Sequence, residues 1–227
     1  MCVILVAETK RLDAEMLTEA NGANPDGLGM AWRKNGKMRY LKGADVAAVI
    51  KLAAEVPLPY IVHARLATVG GKTTQLAHPF PVTANPSLKL SGSAAQVLFH
   101  NGHEGKWEEY YKMALLSGKI RPLDGALSDT RVAAALLSTY GVKVFKMLFY
   151  GSKWVAFSPR SIHYMGKFVD LTPGIKASND YFQDRILLNA YYEHKGGRVY
   201  YNSQKIQPDA RQLPAHYSWE KHYGVTE

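Results

Sequence analysis

Cysteine is nearly missing from this chain: there is one in 227 residues, at position 2. A lone thiol excludes an internal disulfide framework and any cysteine-rich metal site. Long hydrophobic runs are missing as well. No stretch approaches the roughly 18 consecutive apolar residues of a membrane-spanning helix, and the first residues lack a basic segment followed by an apolar signal core. The expected location is therefore the cytoplasm, with no membrane partner. The eight histidines, at 63, 78, 100, 103, 163, 194, 216 and 222, never fall four apart in the pairing that a zinc helix uses. No metal and no other cofactor is expected.

Acidic residues are also in short supply. Nineteen stand against 28 basic ones, a net charge of +9, which favours anionic partners, nucleotide or nucleic acid among them, through long-range attraction. The lysines and arginines are scattered, which reads as a solvated basic surface. What remains is an ordinary globular balance, 47% hydrophobic and 21% charged, sufficient for a core. The length suits one domain over 1–227, with 181–227 as a basic, tyrosine-rich tail.

Residues 2–7 are almost wholly apolar, the pattern of a strand buried on both faces. A helix is expected over 11–20, then a turn-rich stretch, Asn21 to Gly27, feeding a strand at 28–32 in which Gly29 leaves room for close backbone approach. Asn35-Gly36 predicts a two-residue hairpin into 38–41. Residues 44–55 read as a helix with Asp45 at its positive end, and 60–68 as a strand that begins apolar and ends polar. A long irregular segment follows over 72–94, then a strand at 97–102 and a helix at 106–116. Ser128 caps a helix over 131–140 that Gly141 closes. Short strands are expected at 144–150, 154–158, 162–165 and 174–178, the second sheet of a two-sheet core.

Three strand or helix ends deliver polar groups beyond this apolar body: Ala64-Arg65, His100-Asn101-Gly102 and Ser128-Asp129. Taken singly, each has a plain structural use. Cys2 is a small apolar filler, Asn101-Gly102 a turn, Asp129 a helix-end charge and Arg65 a surface ion pair of small value. Taken together they compose an acyl-transfer site. Removal of Met1 would make Cys2 the first residue, so that its α-amine, with an unperturbed pKa of about 7.7–8.0, can take the thiol proton as sulfur attacks a carbonyl. Asn101 and Gly102 would face the developing oxyanion. Arg65 can grip a carboxylate through two parallel bonds, and Asp129 can receive an ammonium. Because the α-amine fills the base role, His63 and His100 are read as structural or substrate-side groups.

These residues carry a family resemblance. Met1-Cys2 before an apolar strand, Asn24-Pro25-Asp26-Gly27-Leu28-Gly29-Met30-Ala31, His63-Ala64-Arg65-Leu66-Ala67-Thr68, His78-Pro79-Phe80, Phe99-His100-Asn101-Gly102 and Ser128-Asp129-Thr130 together resemble a class II glutamine amidotransferase domain of the N-terminal-nucleophile (Ntn) hydrolase superfamily. The resemblance spans about residues 2–180. Where the family's arginine motif continues into Thr-His-Gly, this chain has Thr68-Val69-Gly70. The resemblance implies an α+β, four-layer αββα sandwich of two stacked, mainly antiparallel sheets flanked by helices. It implies Cys2 as nucleophile and base, Asn101 and Gly102 as oxyanion hole, and Arg65 and Asp129 as clamps on glutamine, with His100 and Thr68 on the substrate side. The implied activity is a glutaminase that forms a γ-glutamyl thioester on Cys2 and releases ammonia for an acceptor held by a partner synthase, since residues beyond 180 are too few to form one. Two other readings stand beside it: hydrolysis of a γ-glutamyl amide or peptide, and a catalytically silent scaffold that binds nucleic acid or protein.

Overall fold

Five successive apolar residues, Val3–Ala7, form strand β1, and all five are buried. Such a run is stable in a sheet only when both faces are covered. A computed structural model describes residues 2–67 and 73–183 and shows how β1 meets that demand. Val3, Leu5 and Ala7 point into one apolar cluster, while Ile4 and Val6 point into another.

The remaining elements, in chain order, are helix α1 (Ala14–Ala23), strands β2 (Leu28–Lys34) and β3 (Lys37–Ala44), helix α2 (Val46–Glu55) and strand β4 (Tyr60–Ala64). A single 3-10 turn, Thr74–Leu76, precedes strands β5 (Phe80–Pro81), β6 (Ser91–Ala94) and β7 (Val97–Asn101). Helices α3 (Trp107–Leu116) and α4 (Asp129–Leu148) follow, then strands β8 (Lys153–Phe157), β9 (Ile162–Met165), β10 (Val169–Thr172) and β11 (Ile175–Ala177). Among the described residues, no helix is long and apolar enough to cross a membrane.

The strands make two antiparallel sheets, one in the order β10-β11-β1-β4-β2-β3-β6 and the other β5-β7-β8-β9. Three apolar clusters separate four layers. The first lies between the larger sheet and α1 and α2, where Leu17, Ala20, Val49 and Ala53 meet Leu5, Leu28 and Val62. The second joins the two sheets, with Ile4, Val6 and Ile61 against Val97, Phe99, Val155 and Phe157. The third packs α3 and α4 onto the smaller sheet through Phe145, Phe149 and Trp154. Burying each large aliphatic or aromatic side chain in these layers contributes about 1.5–3 kcal/mol. This is the expected αββα sandwich.

Local chemistry fixes the element ends. The Asp13 carboxylate accepts from Met16 N at 2.7 Å, Asp45 from Ala48 N at 2.7 Å and the Ser128 hydroxyl from Arg131 N at 3.2 Å, so α1, α2 and α4 all begin on a side-chain cap. The Asn35-Gly36 hairpin joins β2 to β3, with Asn35 at φ 51° and Gly36 at φ 70°. Gly29 serves the close approach foreseen for it: a β-carbon there would stand 1.7 Å from the His78 carbonyl oxygen.

Several expectations need correction. The strand expected at 174–178 in the second sheet is β11 of the larger sheet, where it pairs with β1, and the segment expected to be irregular over 72–94 contains the short strands β5 and β6. Helix α1 is displaced toward the C-terminus, because Asp13 is the cap that the amide of Met16 finds. The strand expected at 144–150 is helical. Gly141 does leave helical geometry, at φ 76° and ψ 174°, but the chain re-enters the helix and continues to Leu148. Phe145 and Phe149, four residues apart, both pack on Trp154 with ring centroids 5.3 Å away, a spacing that only a helix presents to one neighbour.

Candidate active site

Cys2 stands just ahead of β1, and its place is set from two directions. Its sulfur meets the backbone of Leu66, just past the end of β4, with Leu66 N–H donating at 3.3 Å and the thiol directed to Leu66 O at 3.4 Å. Its carbonyl accepts from Asn179 Nδ2 at 2.8 Å. Burial pushes the Cys2 thiol up from its ordinary pKa, against the Leu66 N–H and the nearby Arg65 charge, which favour the thiolate. A thiol held in its protonated form needs a base at the moment it attacks.

Cys2, Arg65, His78, His100, Gly102 and Asp129 line one cleft, which encloses about 290 Å³ of empty space, part of it open to solvent. Arg65 directly follows β4, where its N–H donates to Gly27 O and its carbonyl accepts from Asp26 N, both at 2.9 Å. Arg65 is 4% exposed, and its guanidinium lies within reach of the charges of Cys2, Asp26 and Asp129, while burial lowers its pKa from the ordinary value.

Asp129 opens α4. Its Oδ1 accepts from Thr130 N at 2.7 Å and from the Thr130 hydroxyl at 3.3 Å, and its Oδ2 accepts from Glu104 N at 3.4 Å. Burial nevertheless raises its pKa. His100 Nδ1 lies 3.0 Å from Thr130 Oγ1 and 3.6 Å from Asp129 Oδ2, and its ring stacks on Trp154 at 3.6 Å between centroids. Because the Thr130 hydroxyl donates to Asp129, its oxygen is left to accept from His100 Nδ1–H. That assigns the tautomer from the network and leaves Nε2 as a buried lone pair with no hydrogen-bond partner among the described residues. His63 Nε2 lies 3.0 Å from His100 O and 2.9 Å from His78 Nδ1. Burial drives all three imidazoles to the neutral form, with His63 and His100 lowered to about 3 and His78 also well below its ordinary value.

Gly102, at φ 148°, brings its backbone to the cleft where a β-carbon would meet Ser152 Oγ at 2.4 Å. Asn101 sits behind it rather than in the lining. Its Nδ2 donates to Ser178 Oγ at 2.8 Å, which occupies one of its two N–H groups. The same Ser178 Oγ accepts from Ile4 N at 2.9 Å. The expected residues Cys2, Arg65, His100, Gly102 and Asp129 thus meet, Asn101 is held one step back, and Thr68 lies outside the described residues. Residues 184–227 of the expected tail lie outside them too. Sequence reasoning did not pick out Ser178, Asn179 or Thr130 as parts of the site. The polar run Ser178-Asn179-Asp180 directly after the last strand was the available signal for the first two.

No protein-family model and no curated protein matches the chain. Solved structures do. The allosteric regulatory enzyme of purine biosynthesis is 19% identical, with a TM-score of 0.50, over 81% of this chain and 43% of its own. This is the Ntn-hydrolase fold. A second structure, glutamine phosphoribosylpyrophosphate amidotransferase from B. subtilis, is 17% identical with a TM-score of 0.49 over the same shares. The chain therefore spans less than half the length of either structure. In the Ntn-hydrolase fold of this chain, Cys2 heads the third strand of the larger sheet, and the cleft opens where β1, β4 and β7 end.

Proposed function

We propose that this chain is a glutamine amidohydrolase that works through a γ-glutamyl thioester on Cys2. The observation that carries the reading is the meeting of a thiol, a guanidinium, a carboxylate and a glycine N–H around one small cleft, delivered by four separate elements. Carboxylate, ammonium and side-chain amide are the three handles of glutamine, and the cleft offers a chemical partner to each.

With Met1 removed, the α-amine of Cys2 takes the thiol proton as sulfur bonds to the γ-carbon. The carbonyl electrons move to oxygen, which Gly102 N–H and the second N–H of Asn101 meet. Arg65 holds the α-carboxylate and Asp129 the α-ammonium. Collapse of the tetrahedral centre breaks the carbon–nitrogen bond, and the protonated amine returns its proton to the leaving ammonia. Water then attacks the thioester and releases glutamate and the thiol. The upward-shifted thiol supports a mechanism in which deprotonation accompanies attack. The basic composition suits an anionic acceptor or a partner protein that consumes the ammonia.

Glutamate release from glutamine, followed for the wild type and Cys2→Ala, tests the reading. Release by the wild type and none by the variant is expected. Equal release by both would remove Cys2 from the chemistry.

A further inference from the structure

Lys42 and Arg131 are both nearly sealed from solvent, at 1% and 2% exposure. Lysine and arginine are almost never buried to this extent unless paired. Among the described residues, neither forms an ion pair. Lys42 Nζ donates one of its three N–H groups to Gln75 O at 2.8 Å and lies 4.3 Å above the Phe80 ring. Arg131 directs Nε to Pro86 O at 2.8 Å, Nη1 to Ala126 O at 2.8 Å and Nη2 to Asn85 Oδ1 at 3.1 Å, all neutral oxygens. The Asp124 carboxylate, which accepts from Asn85 Nδ2 at 2.9 Å, offsets part of the Arg131 charge without pairing with it. Burial and the Arg131 charge together lower Lys42 to about 7, the response of an ammonium with no counter-charge.

Arg131 lines one open cleft that is separate from the catalytic one, and Lys42 lies behind its wall. Arg131, Lys89, Gln75, Asn85, Ser87 and Asp124 line it, and Lys42 reaches its wall through Gln75 O. Gln75 and Leu76 are neighbours in the 3-10 turn, the first lining this cleft and the second lining the catalytic one. With Lys42 in its protonated form, Lys42, Arg131 and Lys89 against Asp124 leave two uncompensated positive charges beside amide and hydroxyl donors. A phosphate monoester carries about −1.5 to −2 at pH 7 and offers three acceptor oxygens. We propose that this cleft is a binding site for the phosphate group of a small phosphorylated molecule, with Arg131, Lys42 and Lys89 supplying the charge.

The test is calorimetric titration of the full-length protein with inorganic phosphate and with glycerol phosphate, using acetate as a singly charged comparison. Lys42→Met keeps the side-chain length over Phe80 while removing the charge, and Lys89→Glu reverses a charge at the exposed rim. Saturable binding of either phosphate source is expected, weakened about tenfold or more in Lys42→Met and several-fold in Lys89→Glu, with no comparable acetate binding. Tighter binding of glycerol phosphate would identify the ligand as a phosphate ester, and tighter binding of inorganic phosphate would identify the free ion. Thermal unfolding supplies a second readout: phosphate raises the midpoint of the wild type and not of Lys42→Met. Absence of saturable binding by both phosphates, or equal binding in wild type and Lys42→Met, would overturn the assignment. Neither result bears on the Cys2 chemistry.

Discussion

The two sheets contribute to the catalytic cleft in different ways. The larger sheet supplies Cys2 and Arg65 from the ends of adjacent strands, locked by the β1–β4 register of Val3 to Ala64 and by backbone bonds to Gly27 and Asp26. The smaller sheet and α4 supply His100, Gly102 and Asp129, which are held by side-chain bonds through Thr130 and stacking on Trp154. A strand register tolerates side-chain replacement, because the backbone carries it. A side-chain network fails when one member is removed, because each polar atom left behind is buried. Damage to the larger-sheet side should therefore fall on chemistry alone, and damage to the other side on chemistry and stability together.

The largest expected effect is from Cys2→Ala, which should reduce glutamate release to background while leaving the unfolding midpoint within a few degrees of wild type, since it removes one small buried side-chain atom and leaves the β1–β4 backbone pairing in place, a cost of about 1 kcal/mol. Asn101→Ala should lower kcat by about 10²–10³, the usual cost of one oxyanion donor, and should also lower the midpoint because Ser178 loses its partner. Steady-state kinetics and thermal unfolding on the same preparation check both. A stability loss in Cys2→Ala as large as that in Asn101→Ala would erase the contrast between the two sides.

Acid should act next on the buried imidazoles, His100 on the smaller sheet and His63 on β4 of the larger one. His63 and His100 are lowered to about 3 in the fold, against about 6.5 in an unfolded chain. Between those values the unfolded state binds more protons, so stability is full above about pH 6.5 and is lost as pH falls toward 3. Each histidine contributes at most about 1.4 kcal/mol per pH unit in that window. The unfolding midpoint measured from pH 7 to pH 4 should fall steadily, and His100→Gln should flatten the slope. A midpoint unchanged over that range would contradict the buried, neutral histidines.

The smallest expected effect is from Ser178→Ala, about fivefold in kcat with KM unchanged, from the loss of a hydrogen bond worth about 1 kcal/mol. Ser178 touches Asn101 and the backbone of Ile4 and lies outside the cleft lining, so it acts by positioning. A change in KM alone would place it on the substrate instead.

What the sequence showed, and what it hid, follows from the range of each signal. Arg65, Gly102 and Asp129 were legible because each sits where apolar residues give way to polar ones, and Cys2 because it is the single cysteine and heads an apolar run; both signals are local. The β2–β3 hairpin was legible from Asn35-Gly36 for the same reason. Ser178 and Asn179 were not, since their partners Asn101 and Cys2 are 77 and 177 positions away. No pattern around residue 178 announces which side chains it will meet. The second half of α4 was misread because Val142, Val144, Phe145 and Phe149 have strand-favouring side chains. The helical pairing of Phe145 with Phe149 gains its meaning only from Trp154, on a different sheet strand. The unneutralised pair Lys42 and Arg131 was invisible too, since burial of a cation cannot be read from its own neighbours in sequence.

The most direct test of the central claim is the intact mass of the protein before and after exposure to an electrophilic glutamine analogue. The account predicts a starting mass lacking Met1 and a single adduct on Cys2, absent from Cys2→Ala and suppressed by excess glutamine. A chain that keeps Met1 and takes up no adduct, or one labelled equally in the alanine variant, would contradict it.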